Sequence, residues 1–190
     1  TLAYDDQGRE TRGIDGAWQV VKREYDSVDR VKRATDALGH WRDYSFDANG
    51  NLIGEALTVA NARVDSRVAV YDDADRQIQV IDAAGSATRM EYDPAGNLAR
   101  ITDPDGYSAT MEYDANNHVV AAADKDGNAV VSSLDLDGKP RNVVDPNAST
   151  QAFVYYGPEK NGRLKQSLDP AGRATTYDYD AHGNAISVTD

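Results

Sequence analysis

Cysteine is absent from this sequence of 190 residues, and tryptophan and phenylalanine each occur only twice. Without cysteine the chain forms no disulfide and offers no thiolate as a metal ligand. Long apolar runs are missing too, since none approaches the roughly 18 residues that a membrane-spanning helix requires, and the first residues lack the pattern of a signal peptide. The sequence therefore predicts neither a membrane span nor a disulfide framework.

Positive charge is also in short supply. The 20 lysine and arginine residues are outnumbered by 32 aspartate and glutamate residues, which gives a formal net charge of −12 and a pI near 4.6. The basic residues are scattered rather than clustered. Because binding to phosphate groups depends on clustered lysine and arginine, this balance argues against nucleic acid or an anionic membrane as a partner.

What the sequence has instead is a repeat. In its most regular copy, Tyr92 and Asp93 are followed by Gly96 and Asp103, and the next Tyr-Asp pair begins 21 residues on at Tyr113. We call the first residue of each pair the dyad residue. The nine dyad residues are Tyr4, Tyr25, Phe46, Tyr71, Tyr92, Tyr113, Leu134, Tyr155 and Tyr179.

The period is nearly constant along the chain. Six of the eight steps between dyad residues are 21 residues long, and the other two contain short insertions. A fixed period of this length predicts a repeat architecture. We therefore interpret residues 1–190 as a single array of about nine repeats, which we expect to be a piece of a longer protein.

Each repeat contains two turn signals about ten residues apart. Asp93 is suited to bond to the backbone of its own turn, Pro94 presets φ, and Gly96 accepts the left-handed conformation of a hairpin bulge. The segment from Asp103 to Gly106 repeats this chemistry. The predicted structural positions are Tyr92, Asp93, Gly96, Asp103, Gly106, Tyr113, Asp114, Asp124, Gly127, Asp169, Gly172, Tyr179, Asp180 and Gly183.

The segments between turns alternate with a period of two. Thr88, Met90 and Tyr92 are expected on one face of a strand, and Arg89 and Glu91 on the other. Turns this frequent leave no room for a helix. The fold class predicted is all-β, with tandem β-hairpins forming an antiparallel sheet of about 18 strands that must curve or spiral because a flat sheet of that width is unfavourable.

Three places depart from the regular pattern. The first repeat has Asp15 and Gly16 in place of a four-residue turn, with Trp18 just after them. The stretch from Glu55 to Val70 has lost a turn signal and gained residues, so a longer loop or a bulged strand is expected there. The eighth repeat carries an insertion over residues 157–162.

The repeat closely resembles the YD repeat of the Rhs family. The segment Tyr92-Asp93-Pro94-Ala95-Gly96-Asn97-Leu98 carries the resemblance best, and the segments that begin at Phe46 and Tyr179 follow it closely. The family includes bacterial Rhs polymorphic toxins, B and C components of Tc toxins, wall-associated proteins and teneurins. The resemblance implies a β-sheet strip that spirals into a hollow shell, which in the toxins encloses a C-terminal toxic domain.

The resemblance sets expectations for function as well. It implies a secreted or cell-surface bacterial protein, used in bacterial competition, whose partners are the rest of its shell, the enclosed effector, and secretion-system or adaptor proteins. The self-cleaving, Asp-containing segment that follows the repeats in family toxins is not found here. Self-cleavage and toxicity are therefore not assigned, and we expect no enzyme activity.

The carboxylates and histidines give no stronger indication of chemistry. Acid–base catalysis needs two carboxyl groups converging in one pocket, whereas these recur once per turn. The segments 124–128 and 135–138 resemble the start of a calcium loop but lack the glutamate that completes an EF-hand. His40, His118 and His182 are isolated in the sequence and are interpreted as turn residues. We therefore predict no cofactor and no metal.

Tyrosine is the one abundant aromatic residue, and seven of the eleven tyrosines are dyad residues. Tyr44, Tyr177 and Phe153 lie two residues before a dyad residue and are expected on the same face. Packing in a cross-strand aromatic ladder is the favoured interpretation. A tyrosine-lined concave surface that binds sugars or unfolded chain is the alternative, and Trp18 and Trp41 suit either role.

Two functions follow from the sequence. The first is a non-catalytic wall of an Rhs-type toxin shell, which encloses and delivers an effector. The second is a surface-displayed adhesion module that binds glycans or proteins. In either case the terminal strands expose edges that favour self-association.

Overall fold

The computed structural model describes residues 2–14 and 20–190. The irregular turn expected at Asp15 and Gly16, and Trp18 beside it, lie outside the described residues. Within the described ranges there are eighteen β-strands and one short 3-10 helix, Pro158–Lys160. No helix in this part of the chain is long and apolar enough to cross a membrane.

The chain divides into two compact units. The first runs up to Met90 and includes Asp103–Asp105, and the second comprises Glu91–Thr102 and Gly106–Asp190. Strands of the first unit are β1 (Ala3–Tyr4), β2 (Glu10–Ile14), β3 (Val20–Tyr25), β4 (Val31–Thr35), β5 (Trp41–Phe46), β6 (Leu52–Val59), β7 (Ala62–Tyr71) and β8 (Gln77–Ile81). Strand β9 (Ala87–Tyr92) has residues in both units.

The second unit continues in the same manner. Its strands are β10 (Leu98–Thr102), β11 (Ser108–Tyr113), β12 (Val119–Ala123), β13 (Ala129–Leu134), β14 (Pro140–Val144), β15 (Thr150–Tyr155), β16 (Leu164–Leu168), β17 (Ala174–Tyr179) and β18 (Ala185–Thr189). Each strand is antiparallel to its neighbour in sequence; Met111 of β11, for example, lies opposite Ala122 of β12. The predicted all-β fold of tandem antiparallel hairpins is confirmed.

A β-bulge recurs where the dyad residue ends its strand. Glu112 lies opposite Ala121, but Tyr113 lies opposite Val119, so Val120 is an extra residue on β12. The same register shift occurs at dyad residues Tyr4, Tyr25, Phe46, Tyr71, Leu134, Tyr155 and Tyr179. Because a bulge increases the local right-handed twist, the hairpin sequence itself builds twist into these eight repeats.

Within the described residues the sheet is a single layer without a deep core. Among the described side chains, the most buried are those of Ala56, Thr58 and Ala69, each 8% exposed, and no large side chain is fully buried. Both faces of the sheet therefore meet solvent over much of their area. Hydrogen-bonded ladders, turns and half-buried side chains must supply the stability that a packed core supplies elsewhere.

The longest hairpin lies where the sequence predicted a longer loop or a bulged strand. Strands β6 and β7 extend the hairpin to a two-residue turn at Ala60 and Asn61, where φ is 49° and 64°. The register shifts at Thr58, which leaves Val64 as the extra residue. Positive φ at both central residues is the geometry of a type I′ turn, which favours asparagine and glycine.

Ala60→Gly is expected to stabilise the chain. Alanine at positive φ is strained, because its Cβ approaches the following carbonyl oxygen, and glycine removes that strain. We expect the free energy of unfolding to rise by about 0.5–1 kcal/mol, measured by urea titration. The matched control is Ala62→Gly in strand β7, which should lower stability; a loss with both variants would contradict the strain assigned to Ala60.

Candidate functional site: the dyad turns and the ladder between repeats

In every repeat but the eighth, the turn that follows the dyad residue is closed by one aspartate. At Asp93 the main-chain N–H donates to the carbonyl of Asn97 at 2.9 Å, and the carbonyl accepts from the N–H of Gly96 at 3.0 Å. The Asp93 carboxylate accepts from the main-chain N–H of Asn97 at 2.8 Å and from its Nδ2 at 3.0 Å. Gly96 has φ of +93°, so one aspartate and one glycine define the turn.

The same geometry recurs in almost every repeat. We call the residue four positions after the turn aspartate the closing residue, because its N–H and carbonyl both bond to that aspartate. These pairs are Asp5 with Arg9, Asp26 with Arg30, Asp47 with Asn51, Asp72 with Arg76, Asp114 with His118, Asp135 with Lys139, and Asp180 with Asn184. In the eighth repeat the insertion replaces this turn, and Arg163 bonds through its carbonyl to the N–H of Tyr156 at 2.9 Å.

In several repeats the second turn, at the other end of the strands, uses the same chemistry. Asp124 accepts from the N–H groups of Asp126 and Asn128, each at 2.9 Å. Asp169 accepts from the N–H of Arg173 at 2.9 Å and from its Nε at 2.7 Å, and Asp103 accepts from the N–H of Asp105 at 3.0 Å. Positive φ is found in these turns at Gly106, Gly127 and Gly172.

These hydrogen bonds fix the ionisation of the turn carboxylates. The pKa of Asp93 lies below its ordinary value chiefly because the Asn97 side chain donates to the carboxylate, and the same cause lowers the pKa of Asp180 through Asn184. For Asp114 the main-chain N–H of His118 is the largest cause of a lowered pKa. Carboxylates held ionised in this way are turn formers, and they are poorly suited to proton transfer near neutral pH.

Four dyad tyrosines each join their repeat to the one before it. The hydroxyl of Tyr25 donates to the carbonyl of Glu10 at 2.7 Å, and that of Tyr155 donates to Pro140 at 3.0 Å. The same bond joins Tyr71 to Leu52 and Tyr113 to Leu98. Glu10, Leu52 and Pro140 each lie opposite the preceding dyad residue across its bulge. The tyrosine hydroxyl therefore satisfies a carbonyl beside the bulge of the neighbouring repeat.

A cation from the previous repeat covers the ring of several dyad residues. The Arg9 guanidinium lies 4.8 Å from the ring centre of Tyr25, and that of Arg30 lies 4.6 Å from the ring centre of Phe46. Lys139 and Arg163 occupy the same place over Tyr155 and Tyr179. The sequence predicted an aromatic ladder at the dyad positions. The structure places cation–π contacts there, and Tyr179 also packs edge-on against Tyr156, with ring centres 6.4 Å apart.

Closing residues also reach the next dyad turn. Arg9 Nη1 donates to the Asp29 carboxylate at 2.5 Å, Asn51 Nδ2 to Asp75 at 2.6 Å, and Asn97 Nδ2 to Asn117 at 2.8 Å. Each acceptor residue has positive φ in its own turn. The three acceptor residues occupy the position that is glycine in other repeats, and their side chains accept a hydrogen bond from the preceding turn. We call the whole series of contacts between successive dyad turns the turn ladder.

Where glycine occupies this positive-φ position, the closing residue of the preceding repeat fills the space that a Cβ would take. A Cβ placed on Gly138 would lie 2.7 Å from His118 Nε2, and one on Gly183 would overlap the Arg163 guanidinium. Lys139 Nζ donates to the carbonyl of Gly162 at 2.7 Å, and Arg163 Nη1 donates to that of Gly183. His118, Lys139 and Arg163 therefore each lie against a glycine of the next turn, whereas Arg9 lies against Asp29.

Gly183→Ala is expected to destabilise the chain more than Gly172→Ala. Both glycines have positive φ, 89° and 80°, so alanine costs about 1 kcal/mol at either site through backbone strain. Nothing lies near Gly172, whereas a methyl group at Gly183 displaces Arg163 from the turn ladder. We expect an extra loss of about 0.5–1 kcal/mol at Gly183, the value of a typical cation–π contact or hydrogen bond. Equal losses in urea unfolding would mean that Arg163 contributes nothing there.

The described residues provide no evident metal site. Within the ranges 2–14 and 20–190, no three His, Asp or Glu side chains converge to hold an ion. The carboxylate oxygens of Asp124 accept hydrogen bonds from Asp126 and Asn128, so this segment forms a turn of the common kind. His40 and His118 are closing residues whose Nδ1 atoms lie 3.0 and 3.1 Å from the carboxylates of Asp36 and Asp114, and His182 is exposed within its turn.

Comparison with known families agrees with the turn geometry. A family model described as RHS Repeat matches residues 71–108, 92–129 and 160–190. Each matched stretch contains a dyad turn, a second turn, or both, with the hydrogen bonds described above. The chain belongs to the Rhs/YD-repeat family. No curated protein matches this Rhs-repeat chain in sequence.

Solved structures show the same fold over the full length of the Rhs-repeat chain. The crystal structure of TcdB2-TccC3 is similar over 100% of this chain, with a TM-score of 0.71 and 16% identity, and the match covers 12% of that chain. The crystal structure of TcdB2-TccC3-Cdc42 is similar over 97% of this chain and 11% of that one, with a TM-score of 0.62 and 16% identity. The Rhs-repeat chain thus spans about an eighth of the solved chains that it matches.

Proposed function

We propose that this chain is a non-catalytic wall segment of an Rhs shell that encloses a C-terminal effector. The observation that carries the proposal is the turn ladder together with the tyrosine bonds. These contacts join one repeat to the next. They occupy hydrogen-bonding groups that a catalytic site would have to leave available for a substrate. A wall requires such continuity, whereas a catalyst requires convergent groups in a pocket.

Similarity of fold to a much longer chain supports the same proposal. Because the match covers only 12% of the solved TcdB2-TccC3 chain, the repeats described here would be one part of a larger enclosure. Its partners would be the remaining repeats, the effector, and other toxin components or secretion-system proteins. Such a protein would act outside the bacterium that makes it or at that bacterium's surface.

Limited proteolysis of the longer protein tests the proposal. In the unaltered protein the region after the repeats should resist a nonspecific protease, because the wall excludes it. Substitutions that weaken turns within this segment, such as Asp93→Ala combined with Asp114→Ala, should make that region sensitive under native conditions. A matched pair at exposed positions outside the turn bonds, Asp6→Ala with Asp73→Ala, should leave it resistant. Equal sensitivity in all three proteins would contradict enclosure.

One feature favours the second function, a glycan- or protein-binding module. An open cavity of about 530 Å³ lies on the second unit, lined by Phe153 with Gln151, Ser167, Arg173 and Asp190. An aromatic side chain among hydrogen-bonding groups suits a sugar ring. Glycan-array binding that is lost in Phe153→Ala would support this function, whereas binding unchanged by that substitution, or none at all, would count against it.

A further inference from the structure

The sequence contains two Asn-Gly dipeptides, Asn49-Gly50 and Asn161-Gly162, and the structure places them in opposite surroundings. Asparagine followed by glycine is chemically labile, because glycine lets its main-chain nitrogen approach the asparagine side chain. Both asparagines are exposed to solvent. The dipeptide sequence alone therefore predicts equal reactivity for the two asparagines, whereas their contacts predict different reactivities.

The side chain of Asn49 is held in place. Its Nδ2 donates to the carboxylate of Asp75 at 2.9 Å, and the same oxygen accepts from Asn51 Nδ2 at 2.6 Å. Reaction at Asn49 would break this charge-assisted bond. It would also put a new carboxylate beside Asp75 in a chain whose net charge is already −12. Both effects disfavour the conversion.

Asn161 lies at the end of the insertion in the eighth repeat. It has φ of 54°, and its main-chain N–H donates to the carbonyl of Pro158 at 3.1 Å. Among the described residues, no group bonds to its side-chain amide, so the amide is free to turn towards the next residue.

The charges around Asn161 are mainly positive. Arg163 lies two residues further on, Lys139 bonds to the carbonyl of Gly162, and Lys160 is paired with the carboxylate of Asp178. Glu159, the nearest acid in sequence, accepts a bond from the N–H of Gly157. A carboxylate formed at position 161 would therefore be stabilised electrostatically, in contrast to one formed at position 49.

We propose that Asn161 is a site of spontaneous deamidation and isoaspartate formation, and that Asn49 is protected from it. The main-chain N–H of Gly162 first leaves its bond to the carbonyl of Gly157. Its nitrogen then loses its proton and attacks Cγ of Asn161, and the side-chain nitrogen leaves as ammonia. The resulting cyclic imide is opened by one water molecule. Opening at one carbonyl gives aspartate, and opening at the other gives isoaspartate, in which the main chain runs through the former side chain.

Isoaspartate at this position would disrupt the insertion. It adds a carbon to the main chain inside a segment closed by two hydrogen bonds, from Gly162 N–H to Gly157 at 3.1 Å and from Arg163 N–H to Lys160 at 3.2 Å. The contacts of Lys139 with Gly162 and of Arg163 with Gly183 belong to the turn ladder. The modification would thus loosen the links between the last three repeats.

Peptide mapping by mass spectrometry after incubation of the chain at mildly alkaline pH tests the proposal. We expect deamidation at Asn161 to be about tenfold or more faster than at Asn49, because the Asn49 amide must first give up a bond to a charged group. Asp75→Gly should raise the rate at Asn49 by a similar factor. Glycine occupies this turn position in other repeats, so the turn is retained in that variant.

Three results would overturn the proposal. One is a rate at Asn49 equal to or greater than that at Asn161. Another is no increase at Asn49 in Asp75→Gly. The last is that Asn161 in the folded chain stays intact under conditions that fully convert a synthetic peptide spanning residues 158–164. Asn161→Gln serves as the control for peptide assignment, because its longer side chain forms the corresponding ring far less readily.

Discussion

Acidification is expected to unfold this chain, with stability falling steeply as the pH drops below about 4. The turn aspartates are the reason, because hydrogen bonds to their carboxylates lower their pKa in the folded state. The aspartates for which such a bond is the largest cause are Asp26, Asp47, Asp72, Asp93, Asp114, Asp124, Asp135, Asp169 and Asp180.

The direction of the effect follows from linkage. A carboxylate whose pKa is lowered by folding binds protons less readily in the folded state than in the unfolded state. Its contribution to stability is complete above the unfolded pKa of about 3.9 and is lost as the pH falls through the folded value. With the same turn repeated along the array, the losses add, so unfolding should take up several protons.

Urea titrations at pH 7, 5, 4 and 3 would measure this dependence. General repulsion among the excess acidic groups predicts the opposite trend between pH 7 and the pI near 4.6, because protonation there relieves repulsion. Asp93→Asn removes one titrating turn and should make the pH dependence shallower while lowering stability at pH 7. A urea midpoint that stays constant or rises between pH 5 and pH 3 would refute the role assigned to the turns.

Tyr113→Ala is expected to lower the free energy of unfolding by about 2–3 kcal/mol, the sum of a lost hydrogen bond and a lost half-buried aromatic ring. The hydroxyl of Tyr113 donates to the carbonyl of Leu98 at 2.9 Å, so the substitution removes a link between two repeats. Tyr113→Phe should cost about 1 kcal/mol, since it removes the hydrogen bond and keeps the ring.

Two other dyad residues supply matched controls for Tyr113. Tyr4 is 58% exposed, and Tyr4→Ala should therefore cost much less. Phe46 lacks the hydroxyl. Other dyad hydroxyls bond to the residue opposite the preceding dyad residue, and for position 46 that residue is Val31, which lies opposite Tyr25 across its bulge. A tyrosine at position 46 would therefore reach the carbonyl of Val31. Phe46→Tyr should then stabilise the chain by about 0.5–1 kcal/mol. Equal losses for Tyr4→Ala and Tyr113→Ala would show that the contact between repeats is unimportant.

The repeat and its turns could be predicted from sequence because their determinants are local. Asp93 and Gly96 are three residues apart and close a turn whatever surrounds them. The bulged hairpin expected between Glu55 and Val70 was also found, since the change in spacing was visible in the sequence. Arrangement of residues 1–190 as one continuous array stays a prediction, and the structure describes two compact units.

The contacts between repeats could not be predicted, because their partners are distant in sequence. Asp29, Asp75 and Asn117 occupy positions where other repeats have glycine, and the bonds that their side chains accept come from closing residues of the preceding repeat. Gly172 and Gly183 each lie three residues after a turn aspartate, yet only Gly183 lies against an arginine side chain. The placement of Arg9 over Tyr25 likewise depends on the pairing of β2 with β3. A sequence pattern that pairs each closing residue with the dyad residue of the next repeat would have revealed these contacts.

The absence of a deep core has a calorimetric consequence. The heat capacity change of unfolding comes mainly from apolar surface newly exposed to water. Because a single-layer sheet hides so little of that surface, its heat capacity change should fall below the roughly 12–15 cal/mol/K per residue usual for globular domains. The enthalpy of unfolding will then vary little with temperature, and the curve of stability against temperature will be broad and flat. Such a chain should lose little stability on cooling and resist cold denaturation.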